Sequence, residues 1–436
     1  MRRFTGGALI LVAILYGMLP AAQILAYAQT GSSFNLMATI DYAIAIAAYF
    51  WILNDVAVAA KLPIFQRLLP YDRGVRLHVL GGIGIIFFTY VHAFYKILNG
   101  IFIDPVSLIL LVLFSTVFVV AVIWVRTPIF GFVFRLIGRL RKEPARYDRT
   151  RSIHRWLGAL MALVMLVHIT YAGVLGSVPA WSSAIYLIYF LFVVVLFLSA
   201  LIRRHRTVQV RLIGKSRAGS VQVLHFERPK GIRYRPGQFG YLRIMPPTTG
   251  GYETWRYRKE IHPFSFLSIP SENTVSFGVS SRGDFTGSLG DLPAGTVAQI
   301  LGGFGGFTPR YDRPLCLIGT GVGIVPVLSI LKQVLAERRE TSVTAYLVTR
   351  SPDDLVEPET IRAFDNGPPY LTVHSIFTRD SHERLTAERF AHDLGNPGLW
   401  QCYICSSDAV RGSIIRELEL FGVPARRIRY ERFGLT

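Results

Sequence analysis

Residues 78–92 read HVLGGIGIIFFTYVH, and residues 154–168 read HRWLGALMALVMLVH. Each run is strongly apolar and is bracketed by two histidines with thirteen residues between them. A helix climbs about 21 Å in fourteen residues and nearly completes a whole number of turns, so the two histidines of each run share one helix face. A bilayer core asks for about 20 apolar residues per helix. Polar side chains at that depth are costly and usually face the interior of a helix bundle. These runs therefore predict membrane helices that carry paired imidazoles inward.

Four more stretches have the same character. With the first two extended to 76–98 and 153–177, the predicted spans are 7–27, 38–60, 76–98, 106–125, 153–177 and 183–202. Basic residues sort between the intervening loops. Arg2 and Arg3 precede the first span, Lys61, Arg67, Arg73 and Arg76 follow the second, and the loop from Arg126 to Arg155 is strongly basic. Arg203, Arg204 and Arg206 follow the sixth, while the stretches near 28–37, 99–105 and 177–183 contain no Lys or Arg. The positive-inside rule then places both termini and everything after residue 206 in the cytoplasm, for a multi-pass protein of the plasma (inner) membrane. An alternative for the first span is a secretory signal, because MRRFTGG precedes an apolar run that ends in Ala26-Tyr27-Ala28. The run is longer than a usual signal core, which favours a retained helix. Cleavage would leave the other spans with the same orientation.

The formal net charge of +19 is thereby assigned to topology, and nucleic acid is not expected as a partner. The three cysteines, Cys316, Cys402 and Cys405, all lie after the spans. They imply no disulfide framework and fit a reducing compartment.

One span separates the third from the fifth, so the two histidine-bearing helices run in the same direction. His78 is then level with His154 near the cytoplasmic side, and His92 with His168 near the outer side. Neutral imidazole is an ordinary axial ligand for haem iron. Two stacked bis-histidine haems account for all four histidines, whereas one tetrahedral zinc site cannot bridge both levels. Lys96, four residues beyond His92 on the same face, either snorkels to the interface or pairs with an anionic group near the outer level. Asp41 and Asp55 lie near the ends of the second span and are expected to be solvated there.

After residue 207 the chain alternates apolar and polar residues with Gly and Pro punctuation, as in TVQVRLIG and SVQVLHFE, and predicts a compact antiparallel barrel. From 314 a buried strand, PLCLI, leads into Gly319-Thr320-Gly321-Val322-Gly323-Ile324-Val325-Pro326 and a helix. A Gly-rich strand-to-helix turn presents backbone amides to a pyrophosphate. The following strand ends at Arg350, where a basic residue suits a ribose 2′-phosphate and so NADPH, with NADH the alternative. Cys402-Tyr-Ile-Cys405 reads as a strand whose cysteines face opposite sides, not as a redox or metal CxxC.

The paired H-x13-H helices resemble the membrane domain of the ferric reductase and NADPH oxidase family, and the second half resembles that family's ferredoxin-reductase-type dehydrogenase. The resemblance implies a multidomain membrane protein: a six-helix haem domain at 1–206, an antiparallel β-barrel FAD domain at 207–311, and an α/β Rossmann-like NAD(P)H domain at 312–436. It implies that His78 and His154 bind an inner haem b, and His92 and His168 an outer one. His262-Pro263-Phe264-Ser265-Phe266-Leu267-Ser268 is similar to the family's HPFT/S-x-x-S flavin motif. Pro263, Phe264 and Ser265 would line the isoalloxazine, Ser265 bonding near N5, with His262 and Ser268 completing the site. Arg235-Pro-Gly-Gln-Phe239 resembles the PGQF strand. Arg282-Gly283-Asp284-Phe285-Thr286 resembles the segment that cradles the flavin pyrophosphate. Gly303 to Thr308 resembles the turn that ends the domain, Gly305 having no role legible locally. Gly319, Gly321, Gly323 and Pro326 match the nicotinamide motif. Cys405 matches the cysteine beside the nicotinamide, although Ser406-Ser407 stands where the family has Gly-Pro. Phe433 matches the terminal aromatic that stacks on the flavin, here followed by three more residues.

The activity implied is electron transfer from cytosolic NADPH through FAD and two haems to an outer acceptor, either dioxygen, giving superoxide, or a ferric chelate. Ser265, Cys405 and Phe433 would act at the hydride step. An alternative is a membrane component that supplies electrons to a periplasmic partner reductase. A six-span transporter would leave the four matched histidines unexplained.

Overall fold

The computed structural model describes residues 6–30, 36–60, 71–101, 103–124, 144–205, 207–245, 261–365, 367–379 and 383–431. Most of the basic loop residues used to orient the spans, and Phe433, lie outside these. The chain divides into two compact units, Arg3–His205 and Arg206–Thr436.

The first unit is helical. Helix α1 runs Gly6–Ala13, passes through a π-helical turn at Ile14–Met18 and continues as Leu19–Ala28. It is followed by α2 (Leu36–Ala59), α3 (Tyr71–Leu98), α4 (Pro105–Trp124), α5 (Pro144–Tyr171) and α6 (Ala180–His205). Five stretches are long and apolar enough to cross a membrane: Leu9–Ala28, Leu36–Ala59, Gly74–Leu98, Ser152–Tyr171 and Ala180–Ile202. Helix α4 contributes a shorter apolar stretch, Pro105–Ala121. The fifth predicted span is also shorter than expected. Its helix stops at Tyr171, Gly173 takes a left-handed φ of 73°, and a separate turn, Val174–Ser177, follows.

Large apolar side chains such as Leu80, Phe87, Phe94, Leu108 and Leu191 are exposed, while Tyr49, Phe50, Leu53, Phe114 and Tyr186 form the interior. Polar bonds tie α1 to α2 at the π turn. The carbonyls of Leu15 and Tyr16 accept from Asn54 Nδ2 at 2.7 Å and Trp51 Nε1 at 2.9 Å. In an apolar bundle, backbone groups released by an irregular turn must find such partners.

The second unit begins with β1 (Val208–Ala218), β2 (Val221–Glu227), β3 (Phe239–Ile244), β4 (His262–Phe266), β5 (Thr274–Ser280) and β6 (Val297–Phe304). They close as an antiparallel barrel in the order β1-β2-β5-β4-β3-β6. A short helix, α7 (Asp284–Ser288), sits between β5 and β6. A parallel sheet follows, built from β7 (Leu315–Thr320), β8 (Val343–Thr349), β9 (Leu371–Phe377), β10 (Gln401–Cys405) and β11 (Ile428–Glu431) in the order β11-β10-β7-β8-β9. Its helices are α8 (Ile324–Ala336), α9 (Pro358–Asp365), α10 (Ala387–Leu394) and α11 (Asp408–Phe421).

The continuous apolar run of β7 fits a strand covered on both faces. Leu317 and Cys405 belong to one core layer, Cys316 and Cys402 to the other, as residues three apart on a strand require. Barrel residues Val221, Val223 and Leu267 share the first layer with Ile324–Val334 of α8, so barrel and sheet are joined by one core. Ser329 Oγ also donates to Ser268 O across this seam, at 3.1 Å.

Candidate functional site

In the helical unit, α3 carries His78 and His92, and α5 carries His154 and His168. The His78 and His154 rings have centroids 6.0 Å apart and planes at 88°. One metal ion bonded to both at about 2 Å, plus roughly 1.1 Å from each nitrogen to its ring centre, requires about 6 Å. The spacing leaves room for one metal ion between the two rings. His168 lies within electrostatic range of His92. Among the described residues there is no group of three or more His, Cys, Asp or Glu suited to a metal, so a cage built wholly of protein ligands is not offered there.

Three of the four histidines have an oxygen behind the ring. His92 Nδ1 is 2.8 Å from Asp41 Oδ1, and His78 Nδ1 is 3.5 Å from Asp55 Oδ2. His168 Nδ1 is 3.2 Å from Ser107 Oγ, which donates in turn to the Asp104 carboxylate. The expectation that Asp41 and Asp55 are solvated at an interface is wrong: they are 3% and 5% exposed. The signal that would have found them is their spacing. Asp41 and Asp55 are fourteen residues apart (55 − 41), as are His78 and His92 (92 − 78) and His154 and His168 (168 − 154). Lys96 has an ionic partner in the same cluster, its Nζ 3.1 Å from Asp41 Oδ2 and 4.5 Å from the Tyr42 ring centre.

In the second unit, β4 presents the HPFSF run. Ser265 pairs with Phe239 on β3 and Gly278 on β5. A side chain at 278 would collide with Val325, so this barrel face lies against α8 just beyond the Gly-rich turn. Strand alternation puts Pro263, exposed, and Ser265, buried, on this face. Phe264, half-buried, packs against the barrel core with Phe266. His262 stacks on Phe285 at 4.1 Å. Ser268 is also corrected. It has no exposed surface, and its Oγ bonds Tyr234 Oη and accepts from Ser276 N, both at 2.9 Å, so it fixes the barrel.

A continuous rim leads from Ser265 to the sheet. Gln238 Nε2 donates to the Gly303 and Gly305 carbonyls at 3.1 and 3.2 Å, which explains the Gln of the RPGQF segment. Gly305 has φ 95°, and a Cβ there would strike Glu431 Oε1 and crowd the Phe239 ring, so only glycine lets β11 approach. Glu431 pairs with Cys405, and Cys405 with Gly319. Gly323 rests on the Cys405 carbonyl, where any Cβ would collide. Ser265, Phe239, Gly305, Glu431, Cys405 and Gly323 thus border one region.

Within it, Gly319, Gly323 and Pro326 are buried and shape the turn, while Gly321 is exposed with φ 56°. Cys405 has no exposed surface and lies beneath the turn. Burial pushes its thiol well above the ordinary range, with the Glu431 charge adding to the effect, so it stays a neutral thiol at pH 7. Thr286 Oγ1 accepts from the Arg282 and Gly283 amides at 3.0 Å each and so holds the loop closed, leaving the Arg282 side chain exposed. Arg350 is exposed at the end of β8, and its carbonyl accepts from Arg379 N at 3.0 Å, which places a second arginine next to it.

Residues 203–295 match the FAD-binding domain family. The chain is 21% identical over 223 residues to the ferredoxin–NAD(P)(+) reductase component of the naphthalene 1,2-dioxygenase system of Pseudomonas putida, covering 49% of this chain and 64% of that protein. It is 30% identical over 165 residues to respiratory burst oxidase homolog protein B of Oryza sativa subsp. japonica, covering 31% and 17%. It is 27% identical over 171 residues to a superoxide-generating NADPH oxidase heavy chain of Dictyostelium discoideum, covering 34% and 31%. The chain spans less than two thirds of the length of each of these relatives. The matched stretches share an FAD-binding domain with reductases whose names include NAD(P)(+). Over part of its length the chain is also similar to NADPH oxidases.

Proposed function

We propose that this protein is a six-span transmembrane oxidoreductase of the plasma (inner) membrane. In this reading it moves electrons from cytosolic NADPH, through FAD and two haems b, to an acceptor on the outer face. The observation that carries it is the His78–His154 pair at one-iron spacing, repeated fourteen residues on as His92 and His168, in a chain that also holds an FAD-binding domain. When bound, flavin supplies the change from a two-electron hydride donor to one-electron carriers, and haem supplies the path through the helical unit.

The residues present fit these groups. With Nδ1 of His92 and His168 engaged by oxygens, Nε2 is the nitrogen left for iron on those two rings. Ser265 and Pro263 offer a hydroxyl and an apolar edge to the isoalloxazine. The Arg282–Thr286 loop and the exposed Gly321 turn offer amides to the two pyrophosphates. Arg350 and Arg379 favour a 2′-phosphate, and so NADPH over NADH. Cys405, neutral beneath Gly323, would set the depth of the nicotinamide pocket; Phe433 lies outside the described residues.

Dioxygen, giving superoxide, is the acceptor favoured by the NADPH oxidase relatives, with a ferric chelate the other candidate. A second reading, an electron-supplying component for a periplasmic reductase, is favoured by the relatives that are reductase components of larger systems. It shares every step up to the outer haem.

Purified protein should display a Soret band that NADPH shifts to the reduced form without oxygen. His92→Ala should lose one of two haems and external reduction, yet keep NADPH-dependent flavin bleaching. Oxidation of NADPH with O2 or ferric chelate as sole acceptor, with and without superoxide dismutase, separates the acceptors. FAD-loaded protein whose Soret band is absent, or unmoved by NADPH, would sink the proposal.

A further inference from the structure

Helix α2 lies along α3 with both acidic side chains turned onto histidines. At one end Asp41 meets His92, and at the other Asp55 meets His78. Neither contact is incidental to packing. Gly81 on α3 lies so close to Asp55 that a Cβ there would collide with its carboxyl group, leaving Cγ only 3.0 Å away. Asp55 is also gripped from α1, where Tyr16 Oη donates to its Oδ1 at 2.7 Å. Asp41 is gripped by Lys96 from α3 itself. Helix α5 has no carboxylate at hydrogen-bond distance from either of its histidines among the described contacts. His168 meets only a serine hydroxyl.

We propose that Asp41 and Asp55 are positioning residues for the two histidines of α3, one per level. Asp41 fixes the Nδ1–H tautomer of His92 and aims its Nε2 into the bundle, Asp55 sets its charge 3.5 Å from His78 Nδ1, and each sets the redox potential of its own level, while Lys96 tempers Asp41. The inference rests on the bis-haem reading. A carboxylate that accepts the far N–H of a ligating imidazole raises the basicity of that ligand and orients its ring. Greater basicity favours the oxidised metal and lowers the midpoint potential. Lys96 draws on the same carboxylate and adds a positive charge nearby, so it acts in the opposite sense. Each level then has one strongly basic ligand, from α3, and one ordinary ligand, from α5.

The test is a spectroelectrochemical titration of the purified, haem-loaded full chain, with haem content measured separately. Asp41→Asn should raise the midpoint of one haem, shifting its reduced-to-oxidised ratio at fixed potential at least tenfold, about 59 mV for one electron. Asp55→Asn should raise the other haem by a similar factor. Lys96→Met should lower the haem that Asp41→Asn raises. Gly81→Ala keeps the Asp55 carboxylate but displaces it, and should move the same haem as Asp55→Asn. Opposite shifts from Asp41→Asn and Lys96→Met on one haem, with the other still, support the inference. Either Asn variant that leaves both midpoints unchanged, or moves both equally, overturns it. Should an Asn variant not load haem, Lys96→Met decides alone: an unchanged pair of midpoints overturns the proposal. A wild-type protein that binds no haem overturns the bis-haem reading itself, a distinct result.

Discussion

Arg350 and Arg379 follow the carboxyl ends of β8 and β9 and are joined by a backbone bond, where a parallel sheet of this kind receives its nucleotide. A charge-assisted bond to a phosphate contributes roughly 1.5–3 kcal/mol. Arg350→Ala should therefore raise KM for NADPH about tenfold or more while leaving KM for NADH within about twofold. Equal changes for both cofactors would show that no 2′-phosphate is bound there. The position of Arg350 at a strand edge could be read from the sequence because a strand edge is a local feature. Asp41 and Asp55 were not read correctly, since an acidic residue near the end of an apolar run ordinarily finds solvent. Only the presence of His78 and His92 on the neighbouring helix makes them internal. Ser268 failed for the opposite reason. Its place in a motif suggested a ligand contact, whereas its hydroxyl is spent on Tyr234 and Ser276.

At the scale of elements, the helices were visible as apolar runs, and the strand-turn-helix at Gly319–Pro326 as a change of period. The π turn at Ile14–Met18 was invisible, because one extra residue in a helix leaves no compositional mark. It matters for packing, since it turns the Leu15 and Tyr16 carbonyls to α2 and places Tyr16 Oη on Asp55. Deleting Gly17 should restore a regular helix and rotate the segment before it by about 100°. Those buried groups would lose their partners at roughly 1–3 kcal/mol each. The detergent-solubilised protein should melt several degrees lower, and a melting point equal to wild type would mean the turn is incidental. The end of α5 at Tyr171 was also missed, since the residues up to 177 remain apolar and only the left-handed Gly173 interrupts them.

For the whole molecule, all three cysteines are buried in the two layers of one sheet. Burial pushes the Cys316 and Cys405 thiols well above their ordinary range. In the unfolded chain a thiol ionises near pH 8.5, about the ordinary value, while the folded chain keeps both protonated. Above that pH the unfolded state binds fewer protons, so stability present below it falls as pH rises. Thermal melting of the full chain between pH 7 and 9.5 should show this decline beyond about pH 8.5, and Cys405→Ala should flatten it. An unchanged slope in that variant would remove Cys405 from the account. The shared fourteen-residue interval on α2, α3 and α5 also bears on how such a chain can change over generations. A residue gained or lost between 41 and 55 turns one carboxylate about 100° away from the other, so one level keeps its partner and the other is orphaned. The same holds for 78–92 and 154–168. A length change outside these intervals spares all three.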